Sequence, residues 1–129
     1  MRRACPKPPA GSALKETRAR RHTRLAVDER EHTKVRTRSG GRCEVVELYD
    51  RDEVGRATWR PRCVCPATDV HHLISGRGQR WIGLSSLSTH QQHLCAWHHR
   101  EITGGVGGTA LTRIGGPVPR WTDRYERVR

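Results

Sequence analysis

The 129 residues predict a small mixed α+β domain that apolar burial alone cannot hold, set between two basic ends. Three observations lead there. Leu, Ile and Val contribute only 22 of the 129 residues and Phe is absent, a composition that usually belongs to disordered chains. The formal charge of +12 is unevenly spread: residues 1–42 carry a net +9, residues 43–110 are neutral and residues 111–129 carry +3. The neutral middle holds four of the five Cys, six of the eight His and three of the four Trp. A domain this short of apolar surface needs a staple, and the staple belongs where those residues gather.

The elements follow in order. Residues 1–39 read as a basic arm: Pro6, Pro8, Pro9 and Gly11 forbid regular structure, and Lys15 to Arg24 is dense in cations. Lys15 to Arg38 can form a helix, with Leu25, Val27 and Val35 its main apolar residues, before Ser39-Gly40-Gly41 stops it. Cys43 to Tyr49, a turn over Asp50 to Gly55, and Arg56 to Arg60 read as a hairpin that brings Cys43 near Cys63 and Cys65. Asp69 to Ile74 is a further short strand, followed by a loop from Ser75 to Trp81. Leu94 to Thr103 reads as a short helix stopped by Gly104-Gly105. Residues 40–108 thus form the expected domain and 109–129 a basic tail.

Metal is the better candidate for the staple. The start, Met1-Arg-Arg-Ala-Cys-Pro-Lys-Pro-Pro, shows no secretory pattern, and no apolar run approaches the roughly 18 residues that span a bilayer. The expectation is a soluble intracellular protein with no membrane contact. Cys mixed with His in a reducing compartment is more often a metal site than a disulfide framework, and five Cys cannot all pair. Cys95-Ala-Trp-His98 places a thiol and an imidazole within one helical turn. With Cys43 and one of Cys63 or Cys65 they make four ligands suited to tetrahedral zinc, worth on the order of 10 kcal/mol of folding free energy. Cys5 is left as a free thiol, and His93, Trp59, Trp81 and Trp97 as packing residues.

A second set of imidazoles lies outside these four. His71 and His72 are adjacent on a strand and so point to opposite faces. His99 follows His98 by one residue, which turns it about 100° around the helix axis. One of the two helix histidines can face the zinc while the other faces the cleft between strand and helix, where it can meet His71 or His72.

Asp69-Val-His-His-Leu-Ile74, followed about twenty residues later by His93-Leu-Cys-Ala-Trp-His-His-Arg-Glu-Ile-Thr103, resembles the HNH nuclease signature over roughly residues 40–105. Gly41-Arg-Cys43 and Arg62-Cys63 before Pro66-Ala-Thr-Asp-Val-His71 match the order of small bacteriophage and prophage HNH proteins, whose ligand three residues before the proline favours Cys63 over Cys65. The resemblance implies a ββα-metal (His-Me finger) fold with a zinc-stapled β-hairpin, holding one catalytic Mg²⁺, Mn²⁺ or Ni²⁺ over a phosphodiester. By position, His72 matches the general base, His71 and His99 the catalytic metal ligands, and His90 stands where the family has the Asn that braces the loop between the strands. Arg77, Arg80 and Arg100 are the expected DNA contacts. The implied activity is DNA cleavage to 5′-phosphate and 3′-hydroxyl ends by a monomer or weak dimer in the cytoplasm of a bacterial host, beside a phage terminase by family analogy. A non-catalytic zinc-ribbon protein that binds nucleic acid is the alternative.

Overall fold

A computed structural model describes residues 17–74, 86–104 and 108–128. Among these residues are two α-helices, a short 3-10 turn (Ser88–His90) and three two-stranded antiparallel sheets: α1 (Arg18–Ser39), β1 (Leu48–Arg51), β2 (Ala57–Trp59), β3 (Asp69–His72), β4 (Gln91–Leu94), α2 (Ala96–Thr103), β5 (Leu111–Ile114) and β6 (Arg124–Arg127). The sheets pair β1 with β2, β3 with β4, and β5 with β6. This is a small mixed α+β domain with a cluster of Cys and His at its centre.

Helix α1 covers the stretch expected to be helical, and both ends are capped. The Thr17 hydroxyl accepts from the Arg20 amide at 3.1 Å, and Gly40, at φ 65°, donates its amide back to the Arg36 carbonyl. Of the apolar residues that suggested the helix, Val35 is fully buried, Val27 is half-buried and Leu25 is half exposed. Its inner face is the stripe Asp28, Glu31, Val35 and Ser39, all buried and spaced three or four residues apart. Polar groups therefore attach this helix. Arg38 donates twice to Glu44, at 2.7 Å each, and to the carbonyls of Ser88 and Gln91 at 2.8 Å, with its guanidinium 4.2 Å over the Trp121 ring. Ser39 Oγ lies 2.6 Å from His93 Nδ1.

Between the first two elements the chain runs extended. The hairpin forms five residues later than expected, because Cys43 to Glu47 are shared among several partners. Cys43 donates to the Cys65 carbonyl, Glu44 to that of His93, and the Val45 and Val46 carbonyls accept from Cys63 and Tyr125. That segment is the axis of the core. Cys43, Val45, Leu94, Cys95, Leu111 and Tyr125 pack together, with Cys63 and Ile102 against them.

Residues 109–129 are not a separate tail. β5 and β6 pair from Leu111↔Arg127 to Ile114↔Arg124, and Leu111 and Tyr125 are each 1% exposed inside the core. The alternation that buries Tyr125 between exposed Arg124 and Glu126 was hidden by the charges around it. Strand β4 was also missed, since Gln91-Gln-His-Leu94 is fully buried despite three polar residues. Its partners explain how: Tyr125 Oη donates to Gln92 Oε1, Gln92 Nε2 donates to the Trp121 carbonyl at 2.9 Å, and the His93 amide to Glu44 at 2.8 Å. Because Leu94 ends β4, α2 begins at Ala96. Trp97, expected to pack, is 63% exposed, whereas His93 is buried as expected.

Candidate metal centre and histidine cleft

Antiparallel β3 and β4 run in register from Asp69↔Leu94 to His72↔Gln91. Cys95, the next residue, caps α2: its sulfur accepts from the His98 amide at 3.5 Å. One turn of helix then brings His98 Nδ1 to 3.3 Å from Cys95 Sγ and 3.4 Å from Cys43 Sγ. Cys63 completes the group, and the four ligand atoms lie within 4.8 Å of one another. With zinc bonds of about 2.3 Å to sulfur and 2.05 Å to nitrogen, a tetrahedral edge measures about 3.6 Å. The two nitrogen–sulfur spacings lie close to that edge. The four side chains form a Cys3His cluster that can coordinate a structural zinc ion.

Its surroundings support the same chemistry. Burial pushes the Cys43 thiol up and the Cys63 thiol up to about 12, so thiolates here need a bound cation to form at neutral pH. Arg42 and Arg62 hold the two Cys segments together. Arg42 donates to the carbonyls of Cys63 and Arg62, both at 2.7 Å, and Arg62 to those of Cys43, Ser39 and Arg42 at 2.9, 2.6 and 2.7 Å. His98 turns its other nitrogen, Nε2, to Glu47 Oε2 at 3.5 Å. Glu47 is in turn held by Arg127 at 2.7 Å, which also pairs with Glu101 on α2. A carboxylate behind a ligating imidazole fixes its tautomer and strengthens its donor nitrogen. The spacing Cys63-Val-Cys65 left two candidates; Cys65 is exposed and outside the cluster, and its amide approaches the Cys63 sulfur at 3.5 Å.

The helix turn between His98 and His99 separates two environments. His99 faces β3, where its ring lies 5.2 Å from that of His71 at an interplanar angle of 59°. Its Nδ1 is 3.1 Å from Asp69 Oδ2. Asp69 and His71, two residues apart on β3, share the face toward α2. Burial, then the neighbouring His99 and His72, hold the His71 imidazole down at about 4, so at neutral pH it is uncharged with a lone pair to offer.

His72 takes the opposite face of the strand. Its Nε2 stands 3.4 Å from Nε2 of His32 on α1, ring centroids 5.5 Å apart. His90 is buried with Nδ1 donating to the Pro119 carbonyl at 2.7 Å, while its own carbonyl accepts from the Leu73 amide at 2.9 Å. Its ring thus ties the start of β4 to the segment before β6. Arg100 is exposed on α2, 6.0 Å from the Trp97 ring. Arg77, Arg80 and Trp81 lie outside the described residues. No protein-family model, curated protein or solved structure matched the chain.

The structure therefore assembles one ligand cluster and leaves a second set of imidazoles spread over two faces. Among the described residues, Cys43, Cys63, Cys95 and His98 are the one set of three or more such ligand atoms that closes within 4.8 Å. His71 and His99 meet through their rings without forming a closed cation site. The partners that sequence reading missed are His32, Glu47 and Asp69. Asp69 carried a signal, its two-residue spacing from His71. Glu47 and His32 carried none, because their contacts join segments 51 and 40 residues apart.

Proposed function

We propose that this chain is a zinc-stapled nucleic-acid-binding protein whose histidine cleft hydrolyses phosphodiester bonds in the manner of HNH nucleases. The two halves have different support. Binding is supported by the zinc-type cluster together with the charge: α1 exposes Arg18, Arg20, Arg21, Arg30 and Arg36, while contacts along Asp28, Glu31, Val35 and Ser39 fix its inner face. Cations on a rigid helix neutralise phosphates with an affinity that falls steeply with salt. Without any hydrolysis this is a zinc-ribbon binding protein, and that coarser reading stands on the more completely assembled residues.

The observation that carries hydrolysis is the convergence of His71, His99 and Asp69 between a strand and the helix that also bears the zinc ligand. In this reading His71 and His99 hold one divalent ion, Mg²⁺, Mn²⁺ or Ni²⁺, with Asp69 orienting His99. The ion would stabilise charge on the phosphoryl group and the leaving oxygen. The Asp69 contact occupies Nδ1 of His99 and leaves Nε2 as the donor atom. The uncharged His71 suits the same role. His72, at the end of β3, takes the proton of the attacking water. His90 fills the place of the loop-bracing residue, and its backbone carbonyl holds Leu73, the residue after His72. The expected products are 5′-phosphate and 3′-hydroxyl ends.

The test is cleavage of supercoiled plasmid by the zinc-loaded protein with Mg²⁺, Mn²⁺ or Ni²⁺, alongside DNA binding by fluorescence anisotropy. Metal-dependent cleavage that His72→Ala reduces by about 10²- to 10⁴-fold supports hydrolysis. Salt-sensitive binding with no cleavage under any metal leaves the binding protein alone.

A further inference from the structure

Helix α1 is packed along only part of its length. Its inner stripe, Asp28, Glu31, Val35 and Ser39, is buried, whereas Thr17 to Ala26 are exposed throughout except for Arg24, which is half-buried. Those ten residues, about 15 Å of helix at 1.5 Å each, therefore overhang the body. The joint is firm: Glu31 Oε1 accepts from the Ser88 amide at 3.3 Å, and Arg38 and Ser39 are fastened to Glu44, the Gln91 carbonyl and His93.

The stripe does not stop where the burial stops; it changes chemistry. At about 100° per residue, Arg20, Arg21 and Arg24 fall within about 65° of the mean direction of the buried stripe, with Arg18 at its flank. The same side of the helix thus passes from Asp28 and Glu31, set against the domain, to arginines, of which Arg24 also pairs with Asp28 at 3.5 Å. Ala19, Thr23 and Ala26 stand on the opposite side. No acidic residue occurs between Arg18 and Val27, so nothing in the first turn offsets the positive end of the helix dipole. Arg18, Arg20 and Arg21, exposed and like-charged, form the underside of a ledge beside the body. The composition of that ledge selects among anionic partners. A membrane surface takes a helix with bulky apolar residues opposite its cations, and Ala19, Thr23 and Ala26 are too small for that. An unpaired strand is held largely by stacking on aromatic rings, and Thr17 to Val27 contains no Phe, Tyr or Trp. A duplex presents phosphates along a stiff rod and asks only for cations fixed in place.

We propose that the underside of this ledge, Arg20 and Arg21 with Arg18 beside them, is a docking surface for the phosphate backbone of duplex DNA, held against the first half of α1 on the side that the domain occupies. The inference rests on the nucleic-acid-binding reading, to which it adds the form of the partner and its place on the helix, and it does not require hydrolysis.

The experiment measures binding of the full-length zinc-loaded protein to a short fluorescent DNA duplex by anisotropy over a series of salt concentrations, for the wild type, Arg20→Gln/Arg21→Gln and Arg30→Gln/Arg36→Gln. Each double variant removes two exposed arginines of α1 and substitutes a residue of similar helix propensity. Circular dichroism and zinc content should therefore match the wild type, and the two variants differ in which side of the helix loses charge. The slope of log K against log salt should shrink in magnitude by about two for Arg20→Gln/Arg21→Gln, close to one for each lost phosphate contact. It should shrink far less for Arg30→Gln/Arg36→Gln, and Arg20→Lys/Arg21→Lys, which keeps the charge, should retain the wild-type slope. Equal slopes in the two folded Gln variants, or an unchanged slope in Arg20→Gln/Arg21→Gln, overturn the ledge and leave nucleic-acid binding in place. Tighter wild-type binding to a single strand of the same sequence, or to vesicles of anionic phospholipid, at equal salt overturns the duplex as its occupant. Absence of salt-dependent binding by the wild type to either form of DNA removes the nucleic-acid reading and the ledge with it.

Discussion

Two adjacent histidines on one short helix end in opposite kinds of site. His98 is buried and looks inward to three sulfurs; His99, one residue on, faces β3 beside an Asp69 side chain that is 43% exposed. Each has a carboxylate at its outer nitrogen: Glu47 behind Nε2 of His98 and Asp69 beside Nδ1 of His99. The arrangements are parallel, and burial is the difference. A closed four-ligand site leaves no place for substrate and serves stability. Under the proposed function, the more exposed His99 and Asp69 side would be the one that admits a phosphate. On the same reading, the strand–helix unit would divide labour by a turn of about 100°.

The sharpest way to break that division is to remove one side at a time. Cys95→Ser deletes a sulfur ligand of the cluster, and should cost much of the folding free energy, on the order of 10 kcal/mol, that a bound zinc would supply. A chelator should do the same to the wild type. The expected outcome is loss of circular dichroism signal together with zinc, whereas His72→Ala should keep its zinc and its fold. Zinc loss in both, measured by elemental analysis, would show that the two sites are one cooperative unit.

A subtler comparison uses the two carboxylates. Glu47→Gln and Asp69→Asn each preserve shape and remove a charge behind an imidazole, a change that typically costs about 10- to 100-fold in metal affinity or activity. Glu47→Gln should weaken zinc retention in a competition titration without a direct effect on cleavage by the loaded protein. Asp69→Asn should leave zinc affinity unchanged and lower metal-dependent cleavage. If both variants lose zinc equally, Asp69 belongs to the structural site and the division fails.

Legibility in the sequence followed the same division. Cys95 and His98 were readable because helix geometry alone brings them together, and the hairpin pattern brought Cys43 toward Cys63. The choice between Cys63 and Cys65 was open on spacing, since only tertiary placement turns one sulfur inward. The strand Gln91 to Leu94 and the packing of the C-terminal hairpin were illegible for a common reason. Polar side chains such as Gln92 and Glu44 are buried here with their hydrogen bonds satisfied, and a hydropathy pattern cannot tell a satisfied polar residue from a solvated one. The same blindness hid most of the inner face of α1, whose helical period is written in Asp28, Glu31 and Ser39 beside the single apolar Val35.

The smallest expected effect tests whether the cleft is dry on its β3 side. Burial holds His71 down at about 4 in the folded protein, against about 6.5 for an unperturbed imidazole. Between those values the unfolded chain binds a proton there that the folded chain does not, so stability falls as pH drops from about 6.5 toward 4. Above 6.5 the contribution is fully present, and below 4 no further loss comes from this group. Acid also protonates zinc ligands, so the informative quantity is a difference: urea midpoints of the wild type and of His71→Asn, measured across this range. Their gap should change progressively between pH 6.5 and 4, the wild type losing ground to the variant, and stay level at higher pH. A gap that is flat throughout would mean that water reaches His71 in solution as freely as in the unfolded chain, and the contrast between strand faces would then rest on His99 and Asp69 alone.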